Sequence, residues 1–451
     1  MILSFAACAQ SEPAAETKAE VTEAAKTAET QAAAPETAAP ETAALTDEPV
    51  TLKIWATNVM ISTKENKLPE EEWYLTGAMA RYKELHPNVE FEVTNYGTDN
   101  NTLANDFKAA TLAQNGPDVL SPVSGPTMLS FSEGLLPLNA YLGEDYLNNI
   151  LGWNVCSEDM DETKNIYGIP YSGQNICGFA YNKTLVKNAG LDFENNPPRT
   201  LEEFYAALDA IKATGVTPIC ADEGTDPLLA LYDLVLWWEQ KTGLQGLVDH
   251  TFGDSKYVDD EGFIFFLNEY KKFYENGWVN EDVATCAESE ARFLNGDCAL
   301  KAFGSGSVLN YREALGDDLG VIAIPSAIPE DVNKNTSVGG VGACLSVSKF
   351  SKNQEVAVDF IKFLTSKEEF IKYYSTKGSI PVRSDITADE LNRTDPLYPF
   401  LNEMAKDVYY WPDNCMSQDA ANVFYAQLNQ VLVGKLAPEE LAAMLDEAQE
   451  D

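Results

Sequence analysis

Two histidines, His86 and His250, are the whole imidazole inventory of 451 residues. Neither carries the H-x-x-x-H or mixed Cys/His spacing that gathers several ligands around one metal ion. No G-x-S-x-G nucleophile turn and no phosphate-cradling loop of the P-loop type occurs in the chain. With 71 Asp and Glu residues, pairs of carboxylates arise by chance, and nothing singles out one pair as a glycosidase acid and base. The residue types thus offer no distinct constellation for catalysis or a metal site. Aromatic residues make up 10% of the chain, seven of them Trp, and most aromatic residues go to a core.

The first ten residues, MILSFAACAQ, set a short apolar run directly before small residues and Cys8. This resembles a bacterial lipobox, with Cys8 as the lipidated residue, although the basic leader and full apolar region of a signal peptide are missing. From Ser11 to Asp47 the chain is almost entirely Ala, Glu, Thr, Pro, Lys and Gln, with a PETAA unit repeated at Pro35 and Pro40. Such a composition buries too little apolar bulk to offset its ordering entropy. Residues 1–49 are thus expected to be a partial lipoprotein signal followed by a disordered tether. Seven further cysteines show no C-x-x-C spacing, and their odd number prevents complete pairing. Most are expected to be buried small residues, and Cys286 with Cys298 is the pair to test for a disulfide.

The formal charge of −40 disfavours nucleic acid, anionic lipid headgroups and polyanionic ligands, unless basic residues line a local pocket. No stretch approaches the roughly 20 apolar residues of a membrane span. The length exceeds what one core usually supports, so two lobes are expected. Val50–Ala56 alternates as a strand, the segment 70–85 has helical spacing, and strand and helix patterns go on alternating, which predicts an α/β protein with a largely parallel sheet. Further helices are expected over 103–113, 198–214, 227–239, 262–276, 354–364, 367–374 and 422–432. Thr200 is placed to cap its helix, with Glu203 three residues on.

Eight local motifs then follow one another in a familiar order: NGPDVL (115–120), GLLPLNAYL (134–142), YGIPYSGQNICGFAYNKTLVKNAGL (167–191), PPRTLEEFYAALDAIKATGVTPI (197–219), FLNGDCALKAFGSGS (293–307), VGGVGACLSVSK (338–349), STKGSIPVRSD (375–385) and VLVGKLAPEEL (431–441). Together they resemble the family 1 extracellular solute-binding proteins of ABC sugar importers, the group that includes maltodextrin-binding proteins. The resemblance implies an α/β, two-lobed periplasmic-binding-protein-like fold with three hinge crossings, near 170–175, 338–342 and 377–382. It implies an N-terminal lobe of 50–172 plus 341–378 and a C-terminal lobe of 173–340 plus 379–451. The glycine-dense VGGVG suits a hinge, or lets a strand pack closely.

The family's cleft positions fall here on Trp55 and Asn58 after the first strand, Ser121 and Ser124 after NGPDV, and Tyr171, Gln174 and Asn175 at the first crossing. Gly340 lies in the hinge. In the second lobe, Trp237 and Trp238 end an apolar helix that turns one of them to the core, leaving Trp238 for the cleft. Ser305 lies in the GSGS that replaces a segment often aromatic in the family, which argues against a long maltodextrin-like ligand. Tyr410 or Trp411 offers a compensating ring, and Arg383 a bidentate donor. By resemblance the partners are a small-molecule carbohydrate and the membrane subunits of an ABC transporter. The membrane is met only through a lipid anchor, with no nucleic acid and with a monomeric protein. The alternatives are a polyol or acidic sugar held by Arg383, an extracellular carbohydrate-active enzyme, or a purely structural surface lipoprotein.

Overall fold

The computed structural model describes residues 48–57, 73–97, 99–161, 163–224, 227–375 and 379–450. Cys8, the tether and Asn58 lie outside the described residues. The first strand, β1 (Val50–Ala56), buries Val50, Leu52, Ile54 and Ala56 and turns Thr51 and Lys53 to solvent, as its alternation predicts. It pairs in parallel with β2 (Val89–Asn95) and β3 (Val119–Leu120). A strand from late in the chain, β10 (Cys344–Val347), runs antiparallel between β3 and β4 (Ile169–Pro170). The order of this first sheet is β2-β1-β3-β10-β4.

The second sheet is built on β5 (Gln174–Asn182), in the order β11-β9-β5-β7-β6. Here β9 (Ser337–Val341), β7 (Cys298–Gly304) and β8 (Leu319–Ile322) all run antiparallel to β5. Parallel pairing is confined to β6 (Thr217–Ile219) on β7 and β11 (Val408–Tyr410) on β9. The largely parallel sheet expected from the sequence is therefore corrected to two mixed sheets. Strands that enter from the other lobe arrive reversed, and alternation of strand and helix does not reveal that. Two separate apolar cores follow, one on each sheet, with a satellite cluster on the second.

The chain passes from β4 in the first sheet to β5 in the second through residues 171–173, and returns from β9 to β10 through Gly342 and Ala343. The third link differs from the sequence expectation. Ile380 packs with Ile176 on the second sheet, but Val382, Ile386 and Leu391 pack in the first core, and the chain rejoins the second lobe by Leu397. Residues 382–391 thus sit with the first lobe, where alternate apolar residues in a loop could not be assigned from periodicity.

Most helices fall where the spacing predicts. Leu201–Ala213 opens with a full capping box, Thr200 Oγ1 accepting the Glu203 amide at 3.2 Å and the Glu203 carboxylate accepting the Thr200 amide at 3.2 Å. The segment 227–239 departs from a plain helix. Leu229–Leu234 forms a π-helical turn that runs into the helix Val235–Phe252, itself broken at Gly243 with φ 75°. The disulfide is Cys220–Cys298, joining the end of β6 to the start of β7, and not Cys286–Cys298. In the β6–β7 pairing Cys298 stands opposite Thr217, and Cys220, directly after β6, lies with its Cα 5.7 Å from that of Cys298, a proximity invisible in sequence. No described helix is long and apolar enough to cross a membrane.

Candidate functional site

The first-lobe side of the interlobe region is a braced hydroxyl cluster. Where β1 ends, the Thr57 amide donates to Ser121 Oγ at 2.9 Å, and the two hydroxyls lie 3.3 Å apart. The Ser124 hydroxyl donates to the Val341 carbonyl, pinning the loop after β3 to the hinge strand. Asp118 holds that loop by accepting the Lys53 amide at 2.8 Å, and Ser351 donates to its other oxygen. Ser121 and Ser124 are fully buried, so in this form both act as braces. Trp55 is half-buried, tilted on Tyr96 at 5.4 Å and edge-on to Phe107 at 6.4 Å.

Tyr171 also belongs to this packed layer. Only 2% of it is exposed, and its carbonyl accepts from the Tyr374 hydroxyl at 2.7 Å. Its own hydroxyl sits among those of Thr57 and Ser121 without a regular hydrogen bond, and burial pushes the phenol well above its usual range. Gln174 is buried, with Nε2 donating to the Ala405 carbonyl at 3.0 Å and Oε1 lacking a partner among the described residues. Asn175 is half-buried opposite Gly340. The hinge glycines differ in purpose: a Cβ on Gly339 would lie 2.0 Å from the Asn175 carbonyl oxygen, whereas Gly340 adopts φ 121°. One permits close approach and the other a backbone unfavourable for larger residues.

The second-lobe side carries the rings. Trp411 is half-buried, its amide donates to the Gly339 carbonyl at 2.9 Å, and its ring meets Tyr232 edge to face at 4.5 Å. Tyr410 packs against both lobe cores, and its hydroxyl accepts from Asn154 Nδ2 of the first lobe. Ser305 is buried beside this group, its hydroxyl without a partner among the described residues. Gly304 lies next to the Tyr232 ring, so that a Cβ there would be 4.0 Å from its Cε2. Tyr232, absent from the residues chosen by sequence, is thus the ring that faces the GSGS segment.

Two of the expected side chains, Trp238 and Arg383, are placed differently. Trp238 is fully buried and its indole donates to Asp260 at 2.8 Å, while Trp237 is equally buried and donates to the Pro325 carbonyl at 2.8 Å. The π-turn adds a residue to the preceding turn and rotates the register, so both tryptophans enter the core and Tyr232 comes out. Arg383 is bound bidentately to Asp385 at 2.8 and 2.7 Å and donates to the Thr365 carbonyl at 3.1 Å, within the first lobe. Its Nε, Nη1 and Nη2 are each thereby engaged within the first lobe in this structure. His250 is buried in a helix, with Nε2 2.9 Å from Asp260 and its ring stacked on Tyr257. Among the described residues no group of three or more His, Cys, Asp or Glu converges as a metal site would need.

Two lobes meet over a hinge, with the half-buried aromatic pair and the amides of Gln174 and Asn175 on the second lobe and the buried hydroxyls of Thr57, Ser121 and Ser124 on the first, an arrangement of the solute-binding class. Residues 77–399 match the family model described as bacterial extracellular solute-binding protein, and the chain belongs to that family. Among its relatives are the sn-glycerol-3-phosphate-binding periplasmic proteins of Shigella flexneri and Escherichia coli. Each is 27% identical over 224 residues, which is 48% of this chain and 49% of the relative. The chain therefore spans about half the length of the curated relatives it matches. Its fold is similar to that of a chitin oligosaccharide binding protein, with TM-score 0.69 and 21% identity over 89% of this chain and 98% of that one. It is equally similar to a family 1 extracellular solute-binding protein from Bifidobacterium longum subsp. infantis, with TM-score 0.70 and 18% identity over 89% and 99% of the two chains. The sugar-binding protein MalE from Xanthomonas citri matches with TM-score 0.69 and 18% identity over 89% and 98%.

Proposed function

We propose that this chain is the extracytoplasmic, substrate-binding component of an ABC importer and captures a neutral carbohydrate between its lobes, without catalysis. The observation that carries this reading is the edge-to-face pair of Tyr232 and Trp411, half-buried where the second lobe meets the hinge. A sugar ring stacks on such a platform, and the hydroxyl of Ser305 and the amides of Gln174 and Asn175 are neutral partners suited to its hydroxyls. Ligand contact with both lobes favours the closed arrangement, which the transporter's membrane subunits then recognise. A chitin oligosaccharide binding protein and a sugar-binding protein among its structural neighbours support this reading.

A polyol phosphate is the second reading, supported by the glycerol-3-phosphate-binding relatives. It needs a cation at the ligand, and the ion pair of Arg383 with Asp385 at 2.7 Å weighs against the one that the sequence offered. A thermal-shift panel separates the two, because selective binding to the native state raises the melting temperature. Neutral mono- and oligosaccharides are expected to stabilise the protein, and sn-glycerol 3-phosphate is not. Hydrolysis of an oligosaccharide by the purified protein would instead make it an enzyme. Tethering through a lipid on Cys8 completes the proposal: Cys8→Ala, expressed behind a complete signal peptide, is expected to release the monomeric protein from membranes, and continued retention contradicts the anchor.

A further inference from the structure

A cavity of about 400 Å³ lies in the second lobe, along Gly320–Ile324 of the β8 edge, and none of the interlobe residues Asn175, Tyr232, Ser305 or Trp411 lines it. Tyr181 and Lys183, at the end of β5, belong to its wall, whereas the hinge is at the opposite end of that strand. At the rise of an extended strand the two places are roughly 20 Å apart. The cavity has the size of a small-molecule site.

Its chemistry is unlike the rest of this acidic molecule. Lys183, Arg199 and Lys334 line it, against the single carboxylate of Glu194. Glu194 is spoken for by Lys183 and Lys187, each at 2.9 Å, which hold its carboxyl down at about 2. Lys334 pairs with Asp331 at 2.7 Å. Arg199 is different. Its Nη1 donates to Asn335 Oδ1 at 2.8 Å and to the Lys334 carbonyl at 3.3 Å, and among the described residues no carboxylate pairs with it. In a chain with 71 acids and 31 bases, an arginine held by an amide and a carbonyl at the edge of a cavity keeps its charge for something else. Phe193 and Phe400 supply apolar wall beside it.

We propose that this cavity binds a small organic anion, with its carboxylate or phosphate head on Arg199 and its apolar body against Phe193 and Phe400. The site is separate from the carbohydrate cleft and stands or falls without it. Calorimetric titration of the full chain with benzoate and with phenyl phosphate, and with benzyl alcohol as the neutral control, tests it. Saturable binding of either anion, and not of the alcohol, is expected, and the better of the two identifies the head group. Arg199→Gln is expected to weaken that binding roughly ten- to a hundred-fold, the loss of a charge-assisted hydrogen bond. Because Arg199 also ties down Asn335, Asn195→Glu provides a second variant, placing a carboxylate at an exposed position of the wall, and is expected to weaken the anion as well. Absence of saturable anion binding, equal binding of the alcohol, or unchanged affinity in Asn195→Glu overturns the proposal.

Discussion

At the residue scale, burial separates the aromatic residues that hold the fold from those that can hold a ligand. Tyr171 and Trp411 both occupy cleft positions by resemblance, yet Tyr171 is buried under a tyrosine hydrogen bond and Trp411 is half-exposed beside Tyr232. Tyr171→Ala is therefore expected to destabilise the empty protein by about 3–5 kcal/mol, the usual cost of emptying an aromatic core site. Trp238→Ala is expected to do the same, with the Asp260 carboxylate left short of a donor. Chemical denaturation of both variants measures this, and a loss under 1 kcal/mol in either contradicts the core assignment. The family resemblance, carried by the ordered motifs, is what pointed to segments such as SPVSG and YSGQN as hinge and cleft loops. It did not show which side chains are already committed: Arg383 reads as a free donor until Asp385, two residues on, is seen to grip it.

At the element scale, periodicity predicted helices well where a cap and an amphipathic stripe coincide, as in Leu201–Ala213 and Glu261–Glu275. It failed at Leu229–Leu234, where the stretch LLALYDLVLWW is apolar on nearly every side and offers no stripe from which to detect an inserted residue. That one π-turn accounts for both the lost Trp238 and the missed Tyr232. Strand pairing was equally hidden, and with it the cysteine partner. The Cys220–Cys298 bond closes a separation of 78 residues across β6 and β7. Replacing both by serine is expected to cost about 2–5 kcal/mol. Thermal melts with and without reductant test this, and a reductant effect on the wild type that is absent from the double serine variant is the expected pattern.

At the scale of the whole molecule, buried acids make stability depend on pH in an unusual direction. Glu223 is enclosed in the second lobe, where burial pushes its carboxyl up to about 7 despite bonds from the Tyr270 hydroxyl and the Leu229 and Ala230 amides. Burial raises Asp233 and Glu239 as well. A carboxyl with a folded pKa above its unfolded value keeps its proton longer in the native state. Stability is then greatest below the unfolded value near 4.5 and declines until the pH passes about 7. For Glu223 alone the decline is on the order of 3 kcal/mol. Acids held low by partners, such as Asp385 beside Arg383 and Glu369 beside Arg81, act oppositely and lose their contribution as the pH falls below the ordinary carboxylate range. The melting temperature is therefore expected to peak in mild acid and fall toward pH 8, with a shallower fall in Glu223→Gln. A wild-type melting temperature that rises from pH 5 to 8 contradicts this.

The two-lobed organisation was legible because length, alternating patterns and eight ordered motifs all point the same way; the ligand was not, because it depends on a few rings and hydroxyls brought together by distant strands. The most direct test is calorimetric titration of a neutral oligosaccharide selected by the thermal-shift panel into wild type, Trp411→Ala and Tyr232→Ala. Loss of a stacking ring is expected to cost about 1–3 kcal/mol, roughly a five-fold to more than hundred-fold weaker affinity, with the melting temperature of the empty protein lowered by only a few degrees. Unchanged affinity in both variants, or binding of sn-glycerol 3-phosphate in place of every neutral saccharide, would contradict capture of a carbohydrate on the Tyr232–Trp411 pair.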